Sequence, residues 1–250
     1  MSTKKITKTD LAQAAQDLMS RLAHLGTPER AAQERAYLHS DMDFLGVSVP
    51  DSRRAIKDML RTLPGLDGAQ TLALADLLWR EPVFEGRRAA SEVLVLRSAL
   101  LTPADLPAVE ALLRDSRTWA LVDVLAVHVA GAIAYKHPTP SGPVLDRWAH
   151  DEDFWVRRSA ILALLPGVRA GAPDLDRFHQ YADAMLDEKE FFIRKAIGWT
   201  LRELSLRDPQ FVIGWVSPRV GRISGVTLRE AVRRLPEADR ETLLAAYRAR

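Results

Sequence analysis

The sequence contains no cysteine. That one absence excludes disulfide bridges, cysteine-ligated zinc, iron–sulfur clusters and thiol catalysis together. Histidine is scarce and scattered. His24, His39, His128, His137, His150 and His179 are the only six in 250 residues, and no two stand three or four apart, so no helix face offers a paired-histidine metal site. Charge of one sign is also lacking: 35 Lys and Arg against 33 Asp and Glu leave a formal +2. So small a basic excess is compatible with nucleic acid only where the cations gather on one face. No apolar run approaches the roughly 20 residues a bilayer span needs. Residues 1–10 are polar and lysine-rich with no apolar core behind them, unlike a secretory signal. They read as a flexible tail on a cytoplasmic protein with no membrane partner.

What remains is 47% hydrophobic and 27% charged, the balance of a folded globular chain. Leu, Ala, Val and Arg recur at helical period, and alternating segments are missing, so the expected class is all-α. Thr27-Pro28, Pro50-Asp51-Ser52, Thr102-Pro103 and Asp208-Pro209 read as helix starts, with proline in the first turn. The longest break is Lys136 to Pro143, where three prolines and a glycine predict a loop.

A degenerate phrase, a basic pair followed by small or branched apolar residues, recurs along the chain. It reads Arg53-Arg54-Ala55-Ile56, Arg87-Arg88-Ala89-Ala90, Arg117-Thr118-Trp119-Ala120, Arg157-Arg158-Ser159-Ala160-Ile161, Arg194-Lys195-Ala196-Ile197 and Arg229-Glu230-Ala231-Val232. Counted between Arg54, Arg88, Thr118, Arg158, Lys195 and Arg229, the steps are 34, 30, 40, 37 and 34 residues. A repeat of that length, each unit a helix pair unable to bury its own apolar stripe, predicts an α-solenoid of about six HEAT-like pairs, one domain over 11–250. The Ala and Ile after each pair are the expected packing positions. The cations admit two readings: partners for acids in the next repeat, or a row along a concave face that meets a phosphate backbone.

Trp119 and Asp123 stand four apart on a predicted helix and so share a face. Asp123 lies in an apolar run, where a carboxylate is costly unless it is paired or faces a cleft. It reads either as an ion-pair partner of the next repeat or as a site carboxylate. Trp79, Trp148 and Trp155 read as core. Trp199 is less typical, because Gly198 beside it suits a close helix approach rather than helix stability.

Several stretches together resemble the AlkD family of DNA glycosylases, which have HEAT-like repeats. Ala36-Tyr37-Leu38 with Phe44-Leu45-Gly46-Val47 is similar to that family's AYM…FLGI stretch, and Trp119-Ala-Leu-Val-Asp123 to its W-x-x-x-D motif. Phe154 to Leu162 is similar to IWLxRTAIL, and Glu190 to Glu203 to EFFIxKAIGWxLRE. The resemblance runs from about residue 10 to the end. It implies that Trp119 and Trp199 flank the damaged nucleotide's sugar and that Asp123 is the catalytic carboxylate. It further implies that Arg158 contacts the DNA backbone near the lesion and that Tyr37 lines the cleft. Thr118 departs from members that carry a second tryptophan there.

The resemblance implies excision of positively charged N3- and N7-alkylated purines from duplex DNA by a monomer, with the base left in the stack and no metal or organic cofactor. The single carboxylate suits that chemistry. A glycosidic bond usually breaks between two carboxyl groups, one protonating the leaving base. A cationic base leaves neutral and needs no acid. Two alternatives stay open: a non-enzymatic HEAT-repeat scaffold that binds DNA or protein, and a self-resistance glycosylase for bulky natural-product adducts.

Overall fold

The computed structural model describes residues 6–250. Among them there is no strand, only an isolated bridge between Asp43 and Val83. The chain forms two compact units that divide between Leu125 and Ala126.

The first unit contains α1 (Lys8–Leu25), α2 (Pro28–Leu38), α3 (Val49–Thr62), α4 (Gly68–Trp79), α5 (Phe84–Leu96), α6 (Leu106–Asp115) and α7 (Trp119–Leu125). The second opens with a π-helical stretch, Ala126–Ala130, followed by α8 (Gly131–Lys136), α9 (Pro138–Trp148), α10 (Phe154–Leu162) and α11 (Leu165–Ala170). It continues through α12 (Leu175–Ala184), α13 (Phe191–Ser205), α14 (Pro209–Val216), α15 (Gly225–Ala231) and α16 (Glu237–Arg248).

The starts lie where the sequence puts them. Thr27 accepts a hydrogen bond from the Arg30 amide, Ser48 from that of Asp51 and Asp208 from that of Phe211, each satisfying an amide of a first helical turn. Two places differ. Thr7 and Asp10 form a capping box, so α1 begins inside the stretch read as a tail; the part of that tail in residues 1–5 lies outside the described residues. The proline-rich break is also shorter than predicted, because only His137 separates α8 from α9. Pro138 and Pro140 fall in the first turn of α9, where amides have no intrahelical acceptor, and Pro143 alone forfeits a bond inside the helix.

The repeated phrase marks one helix per repeat, and those helices pack in sequence. In the first unit α3 packs on α5 and α5 on α7; in the second the π-helical stretch meets α10, α10 packs on α13, and α13 on α15. The packing positions are filled as expected except in the third repeat, where Ala120 is only half-buried. Ala55, Ile56, Ala89, Ala90, Ala160, Ile161, Ala196, Ile197, Ala231 and Val232 are all buried. Each large member contributes about 1.5–3 kcal/mol on burial. Gly198 lets α13 approach α15: a β-carbon there would stand 2.7 Å from the Glu230 Cβ and 2.8 Å from the Thr227 carbonyl oxygen. By length and composition Trp119–Lys136 does reach the apolarity of a membrane span, contrary to the sequence reading, and Leu121, Val122, Leu125 and Ile133 within it are buried.

Candidate active site

In the first unit, Tyr37 lies in the last turn of α2 and Trp119 begins α7. Their rings meet edge to face, with centroids 5.9 Å apart and planes at 79°. Asp123 lies one turn further along α7 and is half-buried, as is Trp119. Among the described residues the two non-glycine residues in the left-handed region flank this pair: His39 (φ 48°) two residues after Tyr37, and Arg117 (φ 54°) two residues before Trp119. Backbone in that region costs on the order of 1–2 kcal/mol per residue and persists where surrounding contacts hold it. Here Arg117 lies 3.8 Å from Asp41, joining the two turns.

The strongest local device escaped the sequence reading. Glu85 is fully buried at the start of α5, and its carboxylate accepts the backbone amides of Leu45 (2.8 Å), Gly46 (2.8 Å) and Val47 (3.2 Å). Three charge-assisted bonds offset the desolvation of one buried anion. They fix the Phe44–Val47 stretch between α2 and α3. Gly46 sits there at φ 77°, where a side chain would also strike the Thr27 carbonyl. Nearby, Arg88 donates to the Val47 carbonyl at 2.8 Å. Burial lowers its guanidinium pKa from the ordinary value, opposed by Glu85 and Glu34.

In the second unit, Trp199 is half-buried on α13, and its Nε1 donates to Glu203 at 3.1 Å. Arg169 sits over the ring, 6.0 Å from its centroid, and pairs with Glu203 at 3.2 Å. Arg158 is buried on α10, 3% exposed; its Nη1 donates to the Phe192 carbonyl and its guanidinium lies over the Phe192 ring. Phe154, Trp155 and Phe192 form one aromatic cluster. Trp79 and Trp148 are buried, as the sequence predicts, and Trp155 is half-buried. The expected site set is thus divided, with Tyr37, Trp119 and Asp123 brought together in the first unit and Trp199 and Arg158 lying in the second.

The repeated cations mostly serve the packing between repeats. Arg53 pairs with Glu92 (3.1 Å), Arg87 with Asp115 (2.8 Å), Arg157 with both oxygens of Glu188 (2.9 and 2.8 Å) and Lys195 with Glu230 (2.6 Å). Arg229, Arg233 and Arg234, at the end of α15 and in the turn after it, are exposed. Among the described residues no three His, Asp or Glu side chains are grouped to hold a metal ion.

Comparison with known proteins gives the family and the fold. The family model for DNA alkylation repair enzymes covers residues 18–235, and the chain belongs to that family. A predicted DNA alkylation repair enzyme from Enterococcus faecalis has a similar structure, with TM-score 0.78 and 23% identity over 85% of this chain and 97% of that one. AlkD2 from Streptococcus mutans is similar at TM-score 0.52 and 17% identity, covering 87% of this chain and 97% of its own. The alkylpurine DNA glycosylase AlkC of Pseudomonas fluorescens, bound to DNA containing an abasic site analog, is similar at TM-score 0.51 and 16% identity, covering 97% and 69%. These structural likenesses carry the all-α repeat fold. No curated protein sequence matches the chain.

Proposed function

We propose that this DNA alkylation repair enzyme is a glycosylase that hydrolyses the N-glycosidic bond of cationic N3- and N7-alkylated purines in duplex DNA. The observation that carries the proposal is the arrangement on α7: an indole and a carboxylate one helical turn apart, with Tyr37 against the indole. The fold shared with a glycosylase solved on DNA supports duplex DNA as the partner.

Water attacks the anomeric carbon as the bond to the base nitrogen breaks. The bonding electrons pass to the base, which leaves neutral. Asp123 accepts the hydrogen bond of that water and stabilises the positive charge developing on the sugar. The water's excess proton passes through Asp123 to solvent. The face of Trp119 attracts the same charge by on the order of 0.5–2 kcal/mol. Arg158 is assigned to the DNA backbone. It must exchange its bond to the Phe192 carbonyl to reach a phosphate, whereas Arg229, Arg233 and Arg234 are already open to solvent. The protein acts as a monomer and leaves the base in the stack, so a lesion is selected by the lability of its bond.

The pairing of most repeat cations with acids is what favours the scaffold reading. Incubation with methylated and with uracil-containing duplex separates the two. The glycosylase releases N7-methylguanine and leaves uracil in place, because a neutral base needs an acid that this site lacks. Release of neither base favours the scaffold, and uracil release at a comparable rate overturns the one-carboxylate mechanism.

A further inference from the structure

Between the C-terminal halves of α3 and α5, wholly within the first unit, lies a hollow of about 390 Å³. Its floor is carbon, from Leu60, Pro64 and Leu96, and every other residue on its wall is a cation: Lys57, Arg61 and Arg97. No acid lines it, which sets these cations apart from those of the repeated phrase that close on acids of the next repeat. Arg61 does pair with Asp58, but Asp58 is shared with Arg21 (2.8 Å) and cancels only one of the two charges. Among the described residues Lys57 and Arg97 form no ion pair, and the Arg97 Nε is buried with no hydrogen-bond partner.

Like charges gathered without an acid repel one another, and a buried donor is normally satisfied. Arg61 and Arg97 stand at the ends of α3 and α5, where the helix dipole favours cations. That accounts for the sign of two residues. It does not account for Lys57, which stands a turn earlier, for the convergence of all three on one hollow, or for the orphaned Nε. An anion in the hollow accounts for all of them, since on turning to it Arg97 gains a bond that it lacks at rest.

The groove that holds the hollow also leads to the candidate active site. Nearer the starts of the same two helices it is lined by Arg53, Arg88 and Trp119. Arg53, Lys57 and Arg61 are four apart and share a face of α3. Lys57 and Arg61 lie about 6 and 12 Å beyond Arg53 along the helix, a span of about two to four nucleotides at 3.4 Å each. Resting on the glycosylase reading, we infer that this hollow takes a backbone phosphate of the duplex flanking the lesion. Lys57 and Arg97 hold the phosphate, and the carbon side of its deoxyribose lies on Leu96 and Pro64. The phosphate of a free nucleotide has the same chemistry, but the wall has no aromatic face to stack its base and no acceptor to read a base edge.

Binding of a fluorescent undamaged duplex, followed by anisotropy from low to high salt, tests the assignment. For the wild type log K should fall linearly with log salt. Lys57→Gln/Arg97→Gln should weaken binding at low salt several-fold and make the slope shallower by about 0.9, the contribution of one phosphate. Its melting temperature should stay at the wild-type value, because neither side chain gives up an ion pair. Leu96→Glu brings an anion to the floor from a side chain already 36% exposed, and should weaken binding likewise with both cations in place. Lys8→Gln/Arg248→Gln removes the same charge from exposed positions outside the hollow and should keep the wild-type slope. Melting in inorganic phosphate against chloride, at equal ionic strength, separates the two sources of phosphate. If inorganic phosphate stabilises the wild type but not Lys57→Gln/Arg97→Gln, while their duplex slopes agree, the hollow serves a free phosphate compound and the backbone assignment is overturned. A wild-type slope in Lys57→Gln/Arg97→Gln, or an equal change in Lys8→Gln/Arg248→Gln, sinks the assignment alone. If the wild type shows no salt-dependent affinity for duplex, the glycosylase reading fails and takes the assignment with it.

Discussion

Tyr37 meets Trp119 edge to face although Tyr37 itself is 70% exposed. An aromatic pair of this kind is worth about 0.5–1.5 kcal/mol, and so exposed a tyrosine adds little by burial. Tyr37→Ala should therefore leave the melting temperature nearly unchanged while freeing the indole to turn. Release of N7-methylguanine should fall about tenfold, on the scale of misplacing a group that lines the reacting centre. Full activity in this variant would remove Tyr37 from the site.

Asp123→Asn keeps the size of the side chain and removes its charge. Excision of N7-methylguanine should fall by about 10²-fold or more, the scale for losing one preorganised electrostatic group. Affinity for undamaged duplex should hold or rise slightly, because an anion has been removed. Wild-type rates would leave Asp123 a structural residue and return weight to the scaffold reading.

Glu85→Gln tests the device that sets the Phe44–Val47 stretch. Glutamine has one acceptor oxygen, and its amide group faces an amide that also donates. At least one buried donor then loses its partner, along with the charge that strengthened the others. A destabilisation of about 2–4 kcal/mol in urea unfolding is expected. A change under about 0.5 kcal/mol would show that the three amides are satisfied without the carboxylate.

Asp183 supplies a pH signature. Hydrogen bonds from Arg219, at 2.6 and 2.7 Å, hold its carboxyl below the usual carboxylate range, against the opposing effect of burial. A depressed folded-state pKa contributes stability that is present above the unfolded value, near 4, and is lost as pH falls through the lower folded value. Asp183→Asn should accordingly unfold at lower denaturant than wild type at pH 7, with the two curves converging as pH falls below the ordinary carboxylate range. A gap that is constant across that range would assign the loss to geometry rather than to charge.

The repeat was legible because its apolar half follows a rule of spacing. Ala55, Ile56, Ala160 and Ile161 must be buried wherever such a helix packs, and they are. Its basic half was not, since a cation that pairs with an acid 30 to 40 residues away looks in sequence like one awaiting a phosphate; only the coordinates show Arg157 closing on Glu188. Proline misled at Pro138 and Pro140 because its cost depends on position within a helix, and the first turn charges nothing for a missing amide. Trp119 and Asp123 stood out by their four-residue spacing in an apolar run and Tyr37 through the resemblance, and all three lie in one unit. Glu85 was missed because a buried acid leaves no mark on local pattern.

The ion pairs between successive repeats also define where the chain tolerates insertion. Partners are 39 residues apart for Arg53 and Glu92, 28 for Arg87 and Asp115, 31 for Arg157 and Glu188, and 35 for Lys195 and Glu230. The separations vary by up to eleven residues, yet every pair closes. Part of that spread is where the acid stands in the next repeat, within α5 for Glu92 but at the end of α6 for Asp115; the rest follows the repeat steps of 30 to 40 residues, which the connecting segments absorb, because one residue added within a helix would swing everything after it by about 100°. Loop length is therefore free to drift, while the first turn of each basic helix keeps its register; a library of single-residue insertions should show survival between the helices and loss of folding at those turns.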